Sequence, residues 1–200
     1  MKRKVILASS SPRRAALLND AGVEFDIVKP DIDETPDPAL TPEENARFIA
    51  LRKAEAVAQT VREGVVLAAD TMVVIDHEII GKPVDATDAR KMLQRIAGRE
   101  HKVVTGVSII CEGSRRRWAH VEVSFVRFKP VADGDIEAYV NTGEPLDKAG
   151  AYAIQGGAAG WIDGYSGSLT NIIGLPMEQV ACALESMGVK VSRGRWGACR

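Results

Sequence analysis

Cysteine is scarce: Cys111, Cys182 and Cys199 are the only three in 200 residues. They lie far apart and show no metal-ligand spacing, so they form no disulfide framework, and their sparseness points to a reducing compartment, the cytoplasm. Histidine is as sparse. His77, His101 and His120 offer no metal pairing and are expected at surfaces or turns, and no Ser–His–Asp arrangement can be named. Charge of one sign is also missing. Twenty-six basic residues face 27 acidic ones, a formal net charge of -1, which argues against broad binding to nucleic acid or to an anionic membrane. A small basic pocket for a small anion remains compatible with that balance. The longest apolar runs are strand-sized, so no transmembrane helix is expected. The start of the chain reads like a signal peptide, but its apolar stretch, Val5-Ile6-Leu7-Ala8, gives way at once to Ser9-Ser10-Ser11-Pro12-Arg13-Arg14. That is too short for a leader core and reads as a buried first strand. Internal repeats, low-complexity segments, Gly-x-Gly-x-x-Gly and the Walker lysine motif are all absent.

What is present is ordinary for a folded domain: 46% hydrophobic and 26% charged residues, in a length that suits one domain or one domain of two lobes. Ser11 and Pro12 open a helix that runs through Ala21 and stops at Gly22. Phe25 to Val28 reads as a strand, and the proline-rich acidic stretch from Lys29 to Pro42 as a loop. Thr41-Pro42-Glu43-Glu44 starts a long helix whose apolar stripe reaches about Glu63. Val65 to Ala69 and Met72 to Ile75 read as strands separated by Asp70-Thr71. Asp76-His77 is a turn, and Asp85 caps a helix to about Ala97. Val103 to Cys111 and Val121 to Phe128 should pair across a turn at Gly113 to Arg117. Helices follow at Asp133 to Val140 and Met177 to Met187, and the tail from Ser192 to Arg200 is polar. Helices and strands alternate, but with hairpins, which predicts an α/β fold with a mixed sheet.

Four features carry candidate chemistry. Ser9, Ser11, Arg13 and Arg14 lie between a strand end and a helix start, where free amides, hydroxyls and guanidinium groups favour an anion. Asp70-Thr71 places an acid between two buried-looking runs, a position that is often functional in α/β proteins. The acidic trio Asp31, Asp33 and Glu34 makes sense near phosphate if a divalent metal lies between them. Lys53 falls on or beside an apolar helical stripe, where its charge needs a partner or an anion. Lys82 and Lys148 sit in Gly/Pro-bounded loops, where binding residues tend to be. Together these parts suit a polyphosphate bound with Mg²⁺ or Mn²⁺, with a carboxylate taking a proton from water and pyrophosphate leaving.

Leu7-Ala8-Ser9-Ser10-Ser11-Pro12-Arg13-Arg14, the acidic loop ending at Glu34, Lys53-Ala54, Ala69-Asp70-Thr71, Gly81-Lys82-Pro83, Thr105-Gly106-Val107, Glu144-Pro145-Leu146-Asp147-Lys148-Ala149-Gly150-Ala151-Tyr152 and Gly174-Leu175-Pro176 stand in one order along the chain. In that order the chain resembles the Maf proteins, nucleoside triphosphate pyrophosphatases historically called septum formation inhibitors, up to about Gly188. The resemblance implies an elongated α/β fold over residues 1–191, with a mixed sheet and a cleft between two lobes, similar to inosine triphosphatases. It implies hydrolysis of a nucleoside triphosphate to the monophosphate and pyrophosphate with a divalent metal, and a homodimer is compatible with it. The family's proton acceptor falls on Asp70, and its phosphate-binding and metal-site residues fall on Ser9, Arg14, Glu34, Lys53 and Lys82, with Glu34 and Asp70 as the metal ligands. Three positions that mark substrate choice hold Arg13, Thr71 and Gln155, a set that looks like the dTTP/UTP branch. Uracil and thymine present acceptor, donor and acceptor along O2, N3–H and O4, and a glutamine amide at Gln155 can pair with N3–H and O4. Residues of the 7-methyl-GTP or CTP branches would differ there. A regulator that binds nucleotide without turnover is the reading from another class. One departure stands out: Gly167-Ser168-Leu169-Thr170-Asn171 has leucine where the family often has an aromatic, and Tyr165 lies nearby in sequence.

Overall fold

The structure, a computed structural model, describes residues 3–112 and 116–192. Its strands are β1 (Val5–Leu7), β2 (Phe25–Ile27), β3 (Gly64–Ile75), β4 (Glu78–Ile80), β5 (Glu100–Glu112), β6 (Arg116–Phe128) and β7 (Ile162–Ser166). The helices are α1 (Pro12–Asp20), α2 (Pro42–Ala58), α3 (Ala86–Ile96), α4 (Asp133–Val140), α5 (Leu169–Ile173) and α6 (Met177–Ser186). The strands form one sheet in the order β2-β1-β3-β5-β6-β7, with β4 also on β3. β1 runs parallel to β2 and β3, whereas β3–β4 and β6–β7 are antiparallel, so the sheet is mixed and flanked by helices, as expected. No helix among the described residues is long and apolar enough to cross a membrane.

The chain forms two compact units. The first holds the described residues up to Asp70, Thr105–Glu122 and those from Gly174 on; the second holds Thr71–Val104 and Val123–Ile173. In the first, Ile6, Val66, Ala68 and Ile110 from the strands, with Ala8 just after β1, pack on Ala54, Val57 and Ala58 of α2. The small alanines let the helix lie close. Gly106 does the same from β5, because a Cβ there would stand 2.2 Å from the Ala46 carbonyl oxygen. The core of the second unit gathers Val73, Leu93, Ile96, Val126, Phe128, Tyr139 and Tyr152 with their neighbours.

Several expectations need correction. β3 is continuous through Asp70-Thr71, because a carboxylate on one face does not interrupt an extended backbone. It turns at Asp76 and His77, both left-handed at φ 52 and 67, the two-residue hairpin geometry that matches strand twist. Helix α2 ends at Ala58 rather than near Glu63, closed by Thr60, whose amide and hydroxyl both donate to the Val57 carbonyl. β5 and β6 are longer than read, and β7 and α5 went unread. His101 is buried rather than superficial, 3% exposed. Cys111 is buried, and its Sγ accepts a hydrogen bond from Arg3 Nη1. The tail reading from Arg193 onward and part of the Gly113 to Arg117 turn lie outside the described residues.

Candidate active site

In the first unit β1 delivers the chain to Ser9, and Pro12 fixes the opening turn of α1. Ser11 holds the N-cap position, but its side chain makes no capping bond and the first turn carries no acid. Its amide instead donates to Ser9 Oγ at 3.2 Å. The positive end of α1 therefore keeps its demand for an anion. Arg14, 8% exposed, lies one turn in. Its Nη1 donates to Ser9 Oγ at 3.1 Å and its Nε to the Gly174 carbonyl at 2.9 Å. Burial lowers the Arg14 pKa from its ordinary value; Asp70 pulls it back up, Arg13 pushes it further down and Glu34 again raises it. The guanidinium stays charged, since arginine does not lose its proton in proteins.

Lys53, 5% exposed on α2, resolves the question of its buried charge. Its Nζ donates at 2.7 Å to Asp70 Oδ1 and at 2.7 Å to Glu34 Oε2. Asp70 is 9% exposed on β3, while Glu34 comes from the acidic loop with an exposed side chain. Ser9, Arg14, Glu34, Lys53 and Asp70 are thus joined by hydrogen bonds and charge, with Arg13 half-buried beside Arg14. Of the acidic trio only Glu34 reaches Lys53. Asp33 accepts from the amide and hydroxyl of Thr35 at 2.9 and 2.6 Å, and Asp31 is exposed.

Two residues that hold this arrangement were not singled out from sequence. Asn45, 1% exposed, donates to the carbonyls of Asp37 and Leu40 and accepts from the Asp37 amide. Arg52 Nη1 donates to the Asp33 carbonyl at 3.0 Å. Both tie the acidic loop to α2, the helix that carries Lys53. A buried-face asparagine four residues into a helix after a proline-rich loop was the available signal.

The other candidates belong to the second unit. Thr71 is half-buried on β3, Lys82 is exposed and Gln155 is exposed in an irregular loop. Lys148 is already engaged, its Nζ donating at 2.6 Å to the Glu144 carbonyl and at 2.6 Å to Asp147 Oδ1. The Gly150 amide donates to the Gly81 carbonyl at 3.0 Å, which links the loops carrying Lys148 and Lys82. Asn171 Nδ2 donates to Ser124 Oγ at 2.9 Å and to the Val103 carbonyl at 3.1 Å, while Tyr165 is half exposed.

No group of three or more histidine, cysteine or acidic residues that could hold a metal occurs among the described residues. Two carboxylates within reach of one ammonium do fit Mg²⁺, which commonly takes one or two carboxylates plus substrate phosphates.

The family of Maf-like proteins matches residues 4–187. This chain belongs to the Maf family. A relative from Pelotomaculum thermopropionicum named dTTP/UTP pyrophosphatase is 43% identical over 189 residues, covering 94% of this chain and 99% of its own. Another of that name, from Symbiobacterium thermophilum, is 45% identical over 195 residues, covering 98% and 100%. A third, from Geobacter sulfurreducens, is 46% identical over 187 residues, covering 94% and 98%. Among solved structures, the Staphylococcus aureus Ham1 protein aligns over 66% of this chain and 73% of its own at 14% identity and a TM-score of 0.38.

Proposed function

We propose that this Maf-family chain hydrolyses nucleoside triphosphates, dTTP and UTP by preference, to the nucleoside monophosphate and pyrophosphate. The observation that carries the reading is the buried Lys53 ammonium shared by Asp70 and Glu34 beside the Ser9–Arg14 anion-binding turn. Buried charge of this density is unfavourable for the fold and is characteristic of functional sites. The names of the dTTP/UTP pyrophosphatase relatives support the reaction and the base.

In this reading Ser9, Ser11, Arg13 and Arg14 bind the triphosphate, with Lys82 and Lys148 as further phosphate ligands. Asp70 Oδ2, the oxygen not accepting from Lys53, takes the proton of the attacking water as a bond forms to the α-phosphorus. The bond from that phosphorus to the bridging oxygen breaks, and pyrophosphate leaves with its charge met by Arg14 and Lys53. When bound, a divalent cation, Mg²⁺ or Mn²⁺, held by Glu34 and Asp70 supplies Lewis acidity and screens the phosphate charge. Arg13, Thr71 and Gln155 select the base, the Gln155 amide matching N3–H and O4 of a uracil or thymine ring. The chain then works as a single domain on free nucleotide in the cytoplasm, not on nucleic acid or membrane, with a homodimer as the expected assembly.

Product analysis on a panel of nucleoside triphosphates with Mg²⁺ or Mn²⁺ tests this. Monophosphate plus pyrophosphate from dTTP and UTP is expected, falling about 10²- to 10⁴-fold in Asp70→Asn. Free phosphate as the product overturns the reaction, a preference for 7-methyl-GTP or CTP overturns the base assignment, and absence of turnover moves the weight to a nucleotide-binding regulator.

A further inference from the structure

Gln155 is exposed, yet the backbone on either side of it is fixed. Three residues before it, Tyr152 is 6% exposed and its hydroxyl lies 2.6 Å from His101 Nε2. The Tyr152 ring also stands edge-on to the rings of His101 and Phe128, at centroid distances of 5.3 and 4.8 Å. Two residues after it, the Gly157 amide donates to both carboxylate oxygens of Glu144, at 3.2 Å each. The same carboxylate accepts from the Tyr139 hydroxyl at 3.0 Å. Burial, with Glu144 next to it, raises the Tyr139 hydroxyl above its ordinary pKa, so it stays a donor. The loop lies directly on this carboxylate. A Cβ at Gly156 would stand 2.1 Å from Glu144 Oε1, and one at Gly157 would stand 2.9 Å from the Tyr139 ring.

An exposed amide on a free loop presents its donor and acceptor in many orientations. One held at both ends on a short tether presents few, and reading a base edge needs few. We propose that Glu144 is a positioning residue for Gln155: its carboxylate anchors the loop at Gly157 and so sharpens discrimination between pyrimidine edges. This rests on the reading of Gln155 as a base-selecting residue. CTP is the informative competitor, because cytosine presents an acceptor at N3 and a donor at N4 where thymine presents a donor and an acceptor.

The test is the ratio of kcat/KM for dTTP over CTP in the wild type, Glu144→Gln, Gln155→Ala and the double variant. Glu144→Gln replaces one of the two carboxylate oxygens that accept from the Gly157 amide with an NH2 donor and removes the charge, and should lower the ratio roughly tenfold. Gln155→Ala should lower it at least as far, and the double variant no further than Gln155→Ala alone, as for two residues acting through one contact. An unchanged ratio in Glu144→Gln overturns the proposal. So does an equal fall in both backgrounds, or a loss shared equally by all nucleotides, as a general folding defect would give. Hydrogen exchange at the Gly157 amide reads the anchor without substrate: faster exchange in Glu144→Gln is expected, and unaltered exchange overturns the anchor. If the wild type does not prefer dTTP to CTP, the substrate reading fails by itself, and exchange at Gly157 then decides the anchor alone.

Discussion

In the first unit the deepest polar side chains include ions: Arg14, Lys53 and Asp70 are buried together, and their partners are Ser9, Glu34 and the Gly174 carbonyl. In the second unit the comparable positions hold His101, Ser124, Thr170 and Asn171. Around His101 stand Phe128 and Tyr152, with Tyr139 and Trp161 in the same aromatic group. Four ion pairs of this unit among the described residues, Arg90–Glu137, Arg95–Glu78, Arg99–Asp76 and Arg127–Asp163, sit where solvent reaches them, and in Lys148–Asp147 the lysine is half-buried while the carboxylate is exposed. Ions are the most unfavourable groups to desolvate, and a fold that needed only stability would place aromatic and aliphatic side chains there. The first unit therefore gives up stability to hold charge in place, while the second supplies a packed base for the loops of Lys82, Lys148 and Gln155.

Removing the central ion should break that contrast most strongly. Lys53→Met leaves Asp70 and Glu34 without their shared cation, so turnover should fall by about 10²-fold or more. Urea unfolding should show a loss of about 3 kcal/mol, because one carboxylate remains buried and unpaired. An activity near the wild type would mean that the buried charges serve structure alone.

The neutral core of the second unit gives a pH signature instead. Burial holds His101 down at about 4 against an ordinary 6.5. As pH falls through 6.5 the unfolded chain takes up this proton, and the folded chain does so only near 4. Stability should therefore decline across that window by roughly 3 kcal/mol and lose nothing more from this group below it. His101→Phe, which keeps a ring against Phe128, should remove that part of the acid limb in unfolding curves recorded from pH 7 to 4. A limb unchanged by the substitution would place its source elsewhere.

The smallest effect is expected at the surface. Arg127 Nε meets Asp163 Oδ2 at 2.7 Å with side chains 59% and 47% exposed, so Arg127→Ala should shift stability by about 0.5 kcal/mol or less, and less again in high salt. A loss comparable to that of Lys53→Met would erase the distinction between the two kinds of charge.

The parts of this arrangement that depend on near neighbours were legible in the sequence. Pro12, the helix start at Thr41-Pro42-Glu43-Glu44, the Asp85 cap and the Asp76-His77 turn each act within a few residues, and each stands where it was read; Thr41 and Glu44 also close a capping box there. The placement of Lys53 on an apolar stripe announced a partner, although only folding shows that it has two. What could not be read depends on distant contacts. Asp70 looks like an interruption until its strand neighbours and Lys53 are seen. His101 looks like a surface residue until Tyr152, far along the chain, covers it. The irregular turns Glu144–Asp147, Ala149–Ala151 and Ala159–Trp161 have no periodicity to detect. Lys148 reads as an available cation although its partners, the Glu144 carbonyl and Asp147, are close in sequence, because the irregular turn that folds it back on them has no periodicity.

The continuity of β3 makes that strand behave like a reading frame. Alternate residues face opposite sides, so Val66 and Ala68 share the side of Asp70 and pack with α2, while Val73 and Ile75 share the side of Thr71 and enter the core of the second unit. Asp70 is the last residue of one unit and Thr71 the first of the other. A single residue inserted or deleted upstream in this strand would exchange the two sets, turning the proposed base away from Lys53 and a core side chain into its place. The acidic loop before α2 answers to no such alternation and can change length around its Asn45 and Arg52 ties. Through evolution this chain can drift in the length of its loops, whereas at β3 it can change letters but not their number.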